Sequence, residues 1–221
     1  MKAIILIFII ILTLESCHNS DDTNSVYPLA DHLRTRVISI SLEPKTPGNA
    51  WTGSGFFVSG EGHILTTAHV LQGQKKVYVS YKNLPATLVV ANPVLDLAIL
   101  KIETDSQEVD YIDVADWQTP GYGETVYSMG APFGEEESFF ISHVSKPNVF
   151  GGDPTEPNRT YLQLDRIFFP GFSGAPLVNA KRELIGVARY QIALSETKHS
   201  GLGYAIHAEI VNAFVKSVME R

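Results

Sequence analysis

Residues 170–176 read PGFSGAP, and the fold turns on whether Ser173 in that string is a nucleophile or only a small residue in a tight turn. A serine between glycines says little alone, because turns collect Gly, Pro and Ser for conformational reasons. A serine hydroxyl attacks a carbonyl only with help. It needs a base to take its proton, an acid to orient that base, and N–H donors to meet the oxyanion. The decision rests on whether the chain supplies them, and in what order.

Seven histidines are present. His18 falls in a polar N-terminal stretch, and His32, His143, His199 and His207 lie in polar or mixed surroundings. His63 and His69 share GHILTTAHV (62–70), where His69, taken alone, reads as a packed or surface histidine. Asp96 changes that reading. It stands in VLDLAILKI (94–102), and a carboxylate within an apolar strand is costly unless something pairs with it. A histidine ring N–H is a natural partner; capping of backbone amides at a strand end is the alternative. Asp165, in LQLDRIF (162–168), is the other buried candidate.

The surrounding pattern is that of a β protein. VISISL (37–42), GFFV (55–58), HILTTAHV (63–70), KVYVSY (76–81), ATLVVA (86–91) and LDLAILKI (95–102) are short apolar runs separated by Gly, Pro, Asn and Asp. ETVYSMG (124–130), RTYLQLD (159–165), APLVN (175–179), ELIGVARY (183–190) and LGYAIH (202–207) continue the series. Val, Ile, Tyr, Phe and Thr dominate them, as in strands. About a dozen such runs predict an all-β sandwich or barrel. One helix is expected at the end, where Ile210, Val211, Phe214, Val215 and Val218 recur at helical spacing. A chain of 221 residues suffices for one domain or two closely packed halves. Its net charge of −7, with no long basic run, argues against nucleic acid as a partner. One cysteine and no His-Glu-x-x-His exclude the common zinc sites, and no cofactor is expected.

His69, Asp96 and Ser173 occur in the order His, Asp, Ser, and that order resembles the chymotrypsin-like serine proteases. The flanking segments are similar to the HtrA/Deg branch. These are GSGFFVSGEGHILTTAHVL, NPVLDLAILKIE, GETVYSMGAPFG, YLQLDRIFFPGFSGAPLVNAKRELIGV and GLGYAIHAEIV, in that order and covering nearly all of the chain from Val37. The resemblance implies two six-stranded β-barrels, about 29–118 and 119–206, then a helix over 207–221, with the active site between the barrels. It implies His69 as general base and then general acid, Asp96 as its orienting carboxylate and Ser173 as nucleophile. The backbone N–H groups of Gly171 and Ser173 would form the oxyanion hole. An α/β-hydrolase would need its acid and histidine after the serine, yet no Asp follows Ser173 and βαβ alternation is missing.

The resemblance also carries departures. Phe172 precedes the serine where digestive proteases have an Asp that pairs with a newly cleaved N-terminus, so activation by that salt bridge is not expected. Ala175 replaces a glycine. Phe168, Phe169 and Phe172 cluster around Pro170 and read as pocket lining, lid or core. Ile167, six residues before the serine, would lie at the base of the substrate pocket, which Phe168, Phe172 and Tyr190 would help to line. With no acidic residue at that base, the resemblance implies an apolar P1 residue and not Lys or Arg. The expected partner is a protein or peptide substrate. No PDZ domain follows, and a bare protease domain is expected.

The N-terminus reads as a secretory signal over 1–16, with one Lys and an apolar run from Ala3 to Leu14 too short to span a bilayer comfortably. Cys17 directly after it resembles the lipidation site of bacterial lipoproteins, although Glu15 departs from the usual small or apolar residue. This implies attachment to a membrane through acyl chains on Cys17, a polar tether over 17–28 and a peptidase domain over 29–221. The implied location is the bacterial envelope, facing the periplasm. His18 points to the outer membrane.

Overall fold

The computed structural model of the chain describes residues 26–46, 49–104, 108–150, 158–166, 169–195 and 198–220, with the backbone alone at 190–195 and 198–200. Strands β1 (Val37–Ser41), β2 (Gly53–Phe57), β3 (His63–Thr66), β4 (Lys76–Val79), β5 (Pro85–Asn92) and β6 (Leu97–Ile102) close a first barrel in the order β1-β2-β3-β6-β5-β4. Strands β7 (Thr125–Gly130), β8 (Ser138–Phe150), β9 (Thr160–Leu164), β10 (Pro176–Val178), β11 (Leu184–Ser195) and β12 (Lys198–His207) close a second in the order β10-β11-β12-β9-β8-β7. All pairings are antiparallel. The expected fold of two six-stranded barrels and a C-terminal helix is the one observed.

Alternation along the strands explains how the barrels join. Side chains of a strand point to opposite faces at successive residues. Phe57, Ile64, Ala98 and Leu100 therefore turn into the first barrel, with Ile38, Ile40, Val77 and Val79. Their neighbours Phe56, Leu65, Leu97 and Ile99 turn outward, yet they are buried too. They meet Met129, Tyr161, Val187, Tyr204 and Ile206 of the second barrel, and this shared layer fuses the halves. That is why β6 reads as a nearly continuous apolar run. Each such side chain moved fully out of water contributes roughly 1.5–3 kcal/mol. Helix α1 (Tyr27–Arg34) buries Leu29 and Leu33 in the same layer, and helix α2 (Ala208–Met219) buries Val211, Phe214 and Val215 there.

Four local expectations change. The run at 63–70 is a strand only to Thr66; Ala68–Leu71 is a 3-10 turn, and His69 sits on it. Asp96 is not within a strand. It occupies the turn before β6 with φ +54°, a left-handed conformation that Asp tolerates better than most residues. Strand β8 has no counterpart in the apolar pattern, because buried Ser142 and exposed Ile141 and Phe150 invert the alternation there. Pro147 within it falls where the pairing with β9 shifts register, between Lys146 and Val149, so its missing N–H leaves no gap in the ladder. Helix α1 begins at Tyr27, inside the stretch read as tether. Cys17 and the rest of 1–25 lie outside the described residues, and among the described residues no helix is long and apolar enough to cross a membrane.

Candidate active site

The turn carrying Asp96 is fixed on both sides. The Asn92 side chain accepts from the Leu95 N–H (3.0 Å), and the Asp96 carbonyl accepts from the Ala68 N–H (3.2 Å). The second bond draws the 3-10 turn against the carboxylate. Asp96 Oδ1 then accepts from the His69 backbone N–H (2.9 Å) and Oδ2 from His69 Nδ1 (2.8 Å). A carboxylate can only accept, so Nδ1 carries the proton and Nε2 keeps its lone pair. The Asp96 side chain is 6% exposed and that of His69 49%, so the acid is sealed while the base faces the cleft.

A third donor reaches the same carboxylate. Arg189 Nε, from β11 of the second barrel, lies 2.8 Å from Asp96 Oδ2. Burial by itself would raise the Asp96 carboxyl. The hydrogen bonds and charge of His69, with the charge of Arg189, outweigh it and hold the group below the ordinary carboxylate range.

Ser173 arrives from the second barrel on a turn that its sequence specifies. The Phe172 N–H donates to the Phe169 carbonyl (2.9 Å), with Pro170 and Gly171 between them and Gly171 at φ +90°. Proline second and a positive-φ glycine third are the requirements of a type II turn. The Pro170 carbonyl accepts from the Phe133 N–H (2.7 Å). Carbonyl and N–H of one trans peptide point oppositely, so this bond turns the Gly171 N–H away from Phe133. Among the described residues, neither the Gly171 nor the Ser173 amide N–H has a protein acceptor.

Ser54 of β2 ties this turn to the first barrel. Its hydroxyl donates to the Gly171 carbonyl (2.7 Å) and accepts from the Ala131 N–H (3.0 Å), and its N–H donates to the Ser173 carbonyl (2.8 Å). The segment GSGFF contributes to the family resemblance, yet nothing local marks Ser54 as a clamp on residues more than a hundred positions away. Nor does any local feature mark Arg189, which reaches Asp96 across 93 positions.

The structure thus brings together His69, Asp96, Gly171 and Ser173. One link is absent: Ser173 Oγ donates to the Arg189 carbonyl (2.9 Å), and no hydrogen bond joins it to His69 among the described residues. The other expected residues divide. Phe172 is 2% exposed, edge-on to Phe140 at 5.2 Å between ring centroids, in the second-barrel core with Ala175. It is a core residue, and its ring faces other apolar side chains because the turn directs it into the barrel. Ile167 and Phe168 lie outside the described residues, as does the Tyr190 side chain. Asp165, expected to be buried, is 44% exposed and accepts from Ser142 Oγ (2.9 Å), the His143 N–H (2.8 Å) and His143 Nδ1 (3.0 Å). It follows the last residue of β9, where the chain leaves the barrel, so water and these donors solvate it. Beside it, Phe140, Arg166, Phe169 and Gly201 line a cavity of about 410 Å³.

Comparison with known proteins gives a consistent family. Residues 53–187 match the model of the trypsin-like peptidase domain. The chain is 34% identical over 164 residues to a Pseudomonas putida protein named "Probable periplasmic serine endoprotease DegP-like", covering 72% of this chain and 33% of that protein. It is 32% identical over 201 residues to the mouse (Mus musculus) "Serine protease HTRA4", covering 89% and 40% respectively. It therefore spans less than half the length of these relatives. The MamO protease domain from Magnetospirillum magneticum, solved in its apo form, superposes with a TM-score of 0.70 at 21% identity, covering 83% of this chain and 97% of that one, a likeness of fold.

Proposed function

We propose that this chain, which belongs to the trypsin-like peptidase family and is homologous to the HtrA and DegP serine proteases, is a serine endopeptidase working through an acyl-enzyme. The observation that carries this reading is the double hydrogen bond of Asp96 to His69, at 2.9 and 2.8 Å, facing a serine turn whose two amide N–H groups are unengaged. Ser173 Oγ bonds to the substrate carbonyl carbon as its proton passes to His69 Nε2. Asp96 stabilises the imidazolium, and the N–H groups of Gly171 and Ser173 meet the oxyanion. The C–N bond then breaks as His69 returns the proton to the leaving amine. Water, deprotonated by His69, then bonds to the acyl carbon, and the acyl C–Oγ bond breaks as His69 returns that proton to Ser173 Oγ.

The proposed substrates are unfolded or damaged envelope proteins cut after small or medium apolar residues. Phe140 and Phe169 give the neighbouring cavity an apolar wall, and Arg166 in the same lining sets a positive charge beside the Asp165 carboxylate, which disfavours a Lys or Arg side chain as its occupant. A second reading, a protease-fold protein that binds clients with little constitutive cleavage, draws on the Ser173 hydroxyl being held by the Arg189 carbonyl.

A fluorophosphonate probe on the purified protein separates the two. The wild type is expected to label and Ser173→Ala not to. The same wild type is expected to cut a peptide library mainly after apolar residues, and cleavage mainly after Lys or Arg overturns that specificity. No labelling, with or without unfolded client, overturns the protease reading in favour of binding. Lipid attachment is a separate proposal: a clickable fatty acid fed to expressing cells labels the wild type, and equal labelling of Cys17→Ser refutes it.

A further inference from the structure

Arg189 touches the proposed machinery twice. Its guanidinium Nε donates to Asp96 Oδ2 at 2.8 Å, the oxygen that also takes His69 Nδ1 at 2.8 Å. Its backbone carbonyl takes the Ser173 hydroxyl at 2.9 Å. The second contact is available because the β11–β12 pairing shifts register between Ala188 and Tyr190. Such an irregularity re-aims backbone groups. The side chain is 13% exposed and its guanidinium lies 5.3 Å from the centre of the Tyr161 ring, so it is held in place.

We propose that Arg189 is a positioning residue that restrains this protease, its guanidinium sharing the Asp96 charge that would otherwise stabilise the His69 imidazolium. The proposal rests on the serine-protease reading and adds a regulator to it. A general base beside a carboxylate gains strength from that carboxylate's charge, and a cation on the same oxygen subtracts from it. Asp96 Oδ2 therefore serves two cations once His69 has taken the serine proton. Among the described residues, the charged and titratable groups facing Asp96 are His69 from the 3-10 turn and Arg189 from β11; Arg159, just ahead of β9, holds the adjacent Leu95 carbonyl through Nη1 (3.2 Å). A purely structural role is the competing explanation, because Arg189 links β11 of one barrel to the turn before β6 of the other.

The test compares full-length wild type with Arg189→Gln, Arg189→Met and Arg189→Lys. Rates of fluorophosphonate labelling and of peptide cleavage are measured from pH 5 to 9, with circular dichroism to confirm folding. Gln and Met keep much of the stem and remove the charge; Lys keeps the charge. In Gln and Met, kcat on the pH plateau is expected to rise several-fold with KM unchanged. The acidic limb is expected to move up by roughly one pH unit. Lys is expected to keep the wild-type profile. A structural tie predicts lower kcat with an unmoved limb, and that result overturns the proposal. Loss of fold in both neutral variants overturns it too. Failure here is distinct from failure of the protease reading, in which no variant labels at Ser173.

Discussion

Asp96→Asn is expected to lower kcat on the order of 10⁴-fold while leaving the protein folded. The carboxylate faces three N–H donors: the His69 amide on Oδ1, and His69 Nδ1 and Arg189 Nε on Oδ2. An asparagine has one oxygen, so one site must receive an NH₂ instead. Placing it against the His69 amide sets two donors head to head in a rigid turn. Placing it at the Oδ2 site conflicts only with Arg189 Nε, a side-chain donor that can shift more readily than a backbone amide fixed in its turn, and is therefore favoured. There the amide donates to Nδ1, the imidazole proton moves to Nε2, and His69 can no longer take the proton of Ser173. Steady-state cleavage of an apolar peptide near pH 8 measures this. A folded Asp96→Asn protein within tenfold of wild type removes His69 from the role of base.

Gly171→Ala is expected to cost about 10²- to 10³-fold in kcat, the typical effect of losing one oxyanion donor. At φ +90°, a Cβ would stand 2.2 Å from the Ala131 carbonyl oxygen, and side chains rarely adopt that backbone conformation. The turn must rotate, and the Pro170 carbonyl then leaves the Phe133 N–H. The peptide that aims the Gly171 N–H swings with it. KM is expected to change little, because the oxyanion forms only after attack. Wild-type kcat in folded Gly171→Ala would show that this N–H does not meet the oxyanion.

Legibility in the sequence followed the range of the cause. PGF declares its type II turn because proline and glycine fix φ locally. The apolar runs were enough to expect a β sandwich or barrel; two six-stranded barrels followed only from the resemblance that the order His69, Asp96, Ser173 and its flanking segments carry. Strand β8 leaves no apolar alternation because Ser142 is buried while Ile141 and Phe150 face water, and the apolar neighbours of Asp96 hide its one-residue left-handed turn. Phe172 stood among three alternatives until the turn geometry aimed it into the barrel core.

What the sequence determined by itself was the set of chemical groups and their order along the chain, since these depend on residue identity and short-range conformational preference. Tertiary structure alone decided what surrounds them. Ser54 grips the Gly171 carbonyl across 117 positions, and Arg189 reaches Asp96 across 93. Neither contact has a local signature, because each arises where one barrel meets the other. PGFSGAP supplies a serine on a turn; that its hydroxyl donates to the Arg189 carbonyl, and among the described residues not to His69, is set at that meeting by the register of β11.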